Sequence, residues 1–171
     1  MLKWLWLSLL IIIADQLSKY WVVTNLKLGQ KLTLLPFLEL TYTHNPGVAF
    51  GMGQDGGWWA GIAFLGIPVV VAIIILNWLR KLEPEEKWLA VGLSMVLGGA
   101  GGNIIDRVMH TDDIKRGVVD FIHVYIGSND YFPWIFNIAD AMISIGVVLI
   151  LFYEIFLRRK HTQRDENEPG N

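Results

Sequence analysis

The chain is 171 residues long, 53% hydrophobic and 18% charged, with a formal net charge of −2 and no cysteine. The missing cysteines exclude disulfides, thiolate nucleophiles and cysteine-ligated metals of its own, and the near-neutral charge gives no reason to invoke nucleic acid. Mean hydropathy of +0.42 points instead to a bilayer as the solvent for much of the chain.

The first predicted element, Leu2–Val23, is apolar over the roughly 20 residues that a membrane-spanning helix needs. It is too long for a secretory leader, no small-x-small cleavage site follows it, and Asp15 interrupts it, so it reads as a span. An outer connection over about 24–57 comes next. There Lys31–Leu35 and Phe37–Thr43 are β-prone runs split by Pro36, and Asn45-Pro-Gly-Val-Ala-Phe-Gly51 supplies turn chemistry. Trp58–Leu79 is the second span. The short Glu83-Pro-Glu-Glu86 turn makes it the antiparallel neighbour of the third, Trp88–Ile105. Within the third, Gly98-Gly-Ala-Gly-Gly102 suits close helix packing, since small residues let backbones approach. A second outer connection, about 106–133, carries Val118-Val-Asp120-Phe-Ile122, a carboxylate in an apolar stretch at the membrane boundary. Trp134–Leu157 is the fourth span, and residues 161–171 form a polar tail whose composition predicts disorder.

The expected fold is an all-α membrane protein: a four-transmembrane-helix bundle with a small outer-surface β-sheet and an outer loop or short helix. Residues 1–160 make one integral membrane domain. Four crossings put both termini on one side. That side holds Lys3, Arg80, Lys81, Lys87, Arg158, Arg159, Lys160 and Arg164, against Lys19, Lys27, Lys31, Arg107, Lys115 and Arg116 opposite. The first set abuts span ends, where the positive-inside rule counts most, so the termini are expected in the cytoplasm.

With that topology Asp15, Asn103, Asp106, Arg107, Asn137 and Asp140 all fall in the outer third of the bilayer, at 1.5 Å of rise per helical residue. Ionisable groups in hydrocarbon are costly and usually mark function. Asp120 enters from the outer connection and is placed to meet Asp140. Two carboxylates that close share one proton, which equips the pair for acid and base work. Simpler roles compete with this one. Asp106–Arg107 fits a span-end ion pair, Asn103 fits a helix-to-helix hydrogen bond, and Lys19 fits an interfacial anchor able to pair with Asp15. His44, His110, His123 and His161 lack the spacing of a metal site.

Five blocks together resemble the lipoprotein signal peptidases, the bacterial signal peptidase II family, across nearly the whole chain short of the tail. They are Asp15-Gln-Leu-Ser-Lys19, Asn45 to Gly51, Gly98 to Arg107, Val118-Val-Asp120-Phe, and Phe136-Asn-Ile-Ala-Asp140. The resemblance implies an aspartyl endopeptidase of the bacterial inner membrane, with its active site near the periplasmic face. It would cut prolipoproteins just before a diacylglyceryl-modified cysteine, with Asp120 and Asp140 as the catalytic dyad. Asp15, Lys19, Asn45, Gly99, Asn103, Arg107 and Asn137 would hold substrate or support the site. No metal or organic cofactor is implied, the partners are the lipidated precursor and membrane lipids, and a monomer is expected. One departure stands out: the segment Met109–Arg116 is longer and more charged than the family's pattern. A small proton-coupled transporter, with Asp15, Asp106 and Asp140 as a relay, is the alternative, and a non-catalytic membrane scaffold is a third. The relay would need polar groups through the full membrane depth, whereas Val69–Leu76 and Ile143–Phe152 are uncharged.

Overall fold

The computed structural model describes residues 1–46, 65–109, 117–125 and 134–157. Four helices carry the described chain: α1 (Leu5–Asn25), α2 (Ile67–Lys81), α3 (Lys87–Met109) and α4 (Ile138–Phe152). A single 3₁₀ turn, Leu2–Trp4, leads into α1, and a π-helical turn, Tyr153–Leu157, extends α4. Three of these stretches are long and apolar enough to cross a membrane: Leu2–Asn25, Lys87–Met109 and Ile138–Leu157. The expected second span begins outside the described residues. Its described part, α2, starts with Pro68 in its first turn, where a missing N–H costs nothing, and ends in Arg80 and Lys81.

Helix α3 is the central one and packs against α1, α2 and α4. Its glycines explain how. A Cβ on Gly92 would lie 3.0 Å from the Gly146 carbonyl oxygen, and one on Gly98 would lie 2.9 Å from the Ser8 carbonyl oxygen. At Gly99 it would strike the Ala139 carbonyl oxygen, and at Gly102 it would lie 2.5 Å from the Asp15 carboxylate. Backbone is thus pressed on backbone, as the glycine-rich block led one to expect. Helix α4 has the highest hydropathy of the three spans and is the least buried within the protein. Its apolar surface faces outward, as a lipid-facing helix requires.

A four-stranded antiparallel sheet, in the order β1-β2-β3-β4, sits at one end of the bundle. Strands β1 (Lys31–Leu35) and β2 (Leu38–Asn45) match the two β-prone runs, joined at Pro36 and Phe37. The other two, β3 (Val118–Val124) and β4 (Ile135–Phe136), correct the sequence reading. It took 106–133 as connection with a loop or short helix, and it started the fourth span at Trp134. Instead α3 runs on to Met109, residues 118–124 are a strand, and the last helix begins at Ile138. The charged segment from residue 110 to 116, the tail and most of the second span's outer approach lie outside the described residues.

Two apolar clusters anchor these parts. Ile75, Leu79, Leu82, Leu89, Ala90, Leu93, Val96 and Tyr153 join α2, α3 and the end of α4. Val22, Leu26, Tyr42, Val119 and Phe121 seat the sheet on the end of α1. Burying side chains such as Phe121 (5% exposed) contributes about 1.5–3 kcal/mol each, an upper bound. On the sheet's polar side Glu39 accepts from His123 (2.8 Å) and pairs with Lys31 (3.0 Å), and these partners, His123 foremost, hold it down to about 2.

Candidate active site

The second cluster decides where the chemistry sits, because its strand β3 carries Asp120 between two buried apolar neighbours, Val119 and Phe121. Gly117 makes the approach possible. Its φ of +103° is a left-handed conformation open to glycine, and a Cβ there would collide with the Asn45 carbonyl. Strand β3 therefore lies against β2 with Asp120 opposite Thr43, close to the end where Asn45 stands. On its other side Ile122 pairs with Phe136. Continuing that antiparallel register by one residue sets Asn137 beside Phe121, one step from Asp120.

Asn137 then starts α4. Its side chain accepts from Asp140 N–H at 2.9 Å, while Asp140 Oδ2 accepts from Asn137 N–H at 3.3 Å, a reciprocal capping box. The Asn137 amide nitrogen also donates to Asp120 Oδ1 at 2.6 Å and to Val119 O at 3.3 Å. One residue thus touches both aspartates, one on a strand and the other in the first turn of a helix. Asn45 donates to the other Asp120 oxygen at 3.0 Å, and Asn103 donates to Asp140 Oδ1 at 2.8 Å.

Asp120 is 2% exposed. Burial pushes its carboxyl from 3.8 up to about 6, with the nearby Asp140 charge adding to the rise while the Asn45 and Asn137 donors oppose it. Asp140 is only half-buried. Between them the two carboxyls offer a shielded group that takes a proton near neutral pH and a second that water can reach.

Below this pair lies a buried polar network. Lys19, 3% exposed, pairs with Asp15 (2.7 Å) and Asp106 (3.0 Å) and donates to Asn103 Oδ1 (3.1 Å). Lys19 is thus no snorkelling anchor. Its ammonium points into the bundle, where three acceptors use its three donors. Asp106 likewise makes no simple span-end pair with Arg107. It takes Lys19, Gln16 (2.8 Å) and the Val119 N–H (3.0 Å), while Arg107 Nη1 donates to the Asn103 carbonyl at 3.2 Å. Asn103 does bond across helices, as its alternative role required, but its amide is spent on Asp140 and shared with Lys19 and Asn137.

Of the residues singled out in the sequence, Asp15, Lys19, Asn45, Asn103, Asn137, Asp120 and Asp140 are brought together by hydrogen bonds, and the charge of Arg107 acts on Asp106, Asp120 and Asp140. Gly99 stands apart as a packing position against Ala139. Gln16 was not singled out, although its place beside Asp15 in an otherwise apolar helix was a signal. Among the described residues no group of three or more His, Asp or Glu is arranged to hold a metal ion.

A family model described as signal peptidase (SPase) II matches residues 7–156. The lipoprotein signal peptidase of Acinetobacter baylyi is 41% identical over 165 residues, covering 96% of this chain and 88% of that protein. That of Shewanella woodyi is 42% identical over 155 residues, covering 90% and 84%. A solved bacterial membrane enzyme superposes with a TM-score of 0.77 at 31% identity, over 90% of this chain and 93% of its own. A second gives 0.76 at 30%, over 99% and 94%. Apolar helices, a buried aspartate site and these likenesses define a membrane-embedded peptidase. Within that class, the chain belongs to the signal peptidase II family. The transporter alternative is not supported.

Proposed function

We propose that this chain removes signal peptides from prolipoproteins, cutting on the amino side of a diacylglyceryl-modified cysteine, with Asp120 and Asp140 as the catalytic dyad. The observation that carries this reading is the double contact of Asn137, which ties a buried carboxyl to a half-open one across a strand–helix junction. The ionised member takes a proton from water as that water attacks the scissile carbonyl, and the protonated member gives its proton to the carbonyl oxygen. The tetrahedral species then collapses, the C–N bond breaks, and a proton passes to the departing amine of the cysteine. Burial, which pushes the Asp120 carboxyl up to about 6, favours its protonated form.

Four spans, cytoplasmic termini, an inner-membrane location and a periplasmic site fit this reading. They place the dyad at the depth where a lipid-anchored precursor holds its cleavage point. Anchoring also confines the encounter to two dimensions and raises the effective concentration. Apolar flanks of α1, α2 and α4, with Leu17, Ile74 and Val148 exposed, offer acyl chains and a signal helix a surface without strict length selection. Asn45 and Arg107, beside the dyad, are the candidates to hold the peptide, and one polypeptide suffices for such a site.

The test is turnover of a purified lipidated precursor. Asp120→Asn and Asp140→Asn are each expected to lower kcat by four orders of magnitude or so, as loss of a dyad member requires, while the protein still inserts. Turnover retained by both would sink the assignment.

A further inference from the structure

Two carboxylates that the chemistry itself does not use do an unusual thing. Asp15 Oδ1 accepts the backbone N–H of Ala139 at 2.9 Å, one residue before Asp140. Asp106 Oδ2 accepts the backbone N–H of Val119 at 3.0 Å, one residue before Asp120. The remaining contacts of both converge on one ammonium, with Lys19 Nζ at 2.7 Å from Asp15 Oδ2 and 3.0 Å from Asp106 Oδ2. Gln16 closes the set, donating to Asp106 Oδ1 at 2.8 Å and more distantly to Asp15.

The third donor of Lys19 settles an orientation. It meets Asn103 Oδ1 at 3.1 Å, and Asn137 Nδ2 reaches the same oxygen at 3.2 Å. With two donors on its oxygen, the Asn103 amide must turn its nitrogen towards Asp140, where it donates at 2.8 Å. Without Lys19 that oxygen keeps only the bond from Asn137, and the amide is held less firmly against a flip that would turn its oxygen towards the Asp140 carboxylate.

We infer that Lys19 is a positioning residue for hydrolysis: it clamps, through Asp15 and Asp106, the backbone just ahead of each aspartate and fixes the Asn103 amide as a donor to Asp140. This rests on Asp120 and Asp140 being the dyad. Lys19 touches neither Asp120 nor Asp140, so its action runs through other residues. The charged and polar groups that face Asp120 are Lys19 on α1, Asn45 on β2, Arg107 on α3, and Asn137 and Asp140 at the start of α4. Removing the Lys19 charge takes away one of the groups that favour ionised Asp120.

The experiment measures kcat, KM and their pH dependence for Lys19→Met, with thermal unfolding in detergent as the folding control. Expected are a loss of kcat on the order of 100-fold from misplaced groups, a KM within about threefold of the parent, since binding is untouched, and an alkaline limb shifted to higher pH. A folded variant with unchanged kcat and profile overturns the inference. So does one that loses kcat and affinity together with no shift. Burying Asp15 and Asp106 without their cation can prevent folding, and then the charge-balanced Lys19→Met/Asp106→Asn decides by the same criteria. If the double variant also fails to fold, the network is a folding element and the inference falls. Asp120→Asn and Asp140→Asn separate the two failures: if these still cleave, the dyad is wrong, whereas inactive dyad variants beside parent-like Lys19 variants refute only the clamp.

Discussion

Asp120 accepts two amide donors, Asn45 and Asn137, yet burial outweighs them and pushes it up to about 6. An acid whose folded pKa is raised stabilises the fold through its protonated form. That contribution is complete below the ordinary 3.8 and is lost as pH climbs through about 6. The shift corresponds to about 3 kcal/mol between the protonation states. The proposed reaction uses a neutral carboxyl at this position. In the free enzyme kcat/KM is expected to fall as pH rises past about 6. A bound apolar substrate expels water and is expected to move the same limb of kcat upward, because further burial favours the protonated Asp120. Stopped assays across roughly pH 5 to pH 8 check this, and flat curves in both parameters would rule out a titrating pair.

Between elements, the glycines of α3 divide into two kinds. At Gly99 an added Cβ meets the Ala139 carbonyl, backbone that cannot yield, and Ile143 at 2.7 Å. At Gly101 it meets only the flexible end of Ile12, at 2.8 and 3.2 Å. Gly99→Ala is therefore expected to cost about 1–3 kcal/mol and to slow turnover by moving the first turn of α4, while Gly101→Ala leaves both nearly unchanged. Thermal midpoints in detergent distinguish these, and equal effects would refute the distinction. The same contrast explains what was legible in the sequence. Long apolar runs announced α1, α3 and α4, and Pro36 between β-prone runs announced the first hairpin. Strand β3 gave no alternation because both of its faces are covered, and β4, two residues long, is too short to leave a pattern. Asp15, Asn103 and Asp140 were conspicuous as polar groups in apolar helices. The inward turn of Lys19 was not, since snorkelling is the default for a lysine near a span end and only tertiary partners reverse it. Asn137 was visible as an asparagine three residues before a carboxylate, but its hold on Asp120 depends on a sheet register that no local signal encodes.

At the scale of the molecule, a bundle with polar chemistry at one end must be oriented, and the absence of cysteine makes that orientation easy to measure. A single cysteine at the exposed Leu34 of β1 is expected to react with a membrane-impermeant maleimide in intact spheroplasts. One at the exposed Glu85, in the turn between α2 and α3, is expected to react only after permeabilisation. The reverse pattern would invert the proposed topology and detach the site from the periplasm.

One member of the proposed dyad rides on a strand of the sheet and the other in the first turn of the apolar helix α4. The strand is buried on both faces whereas the helix is largely exposed along its apolar length, and Asn137 bonds to both aspartates. In the proposed orientation, a change of bilayer thickness that tilts this helix is expected to move Asp140 relative to Asp120. Under the proposed mechanism, turnover is then expected to vary with the acyl-chain length of the surrounding lipids.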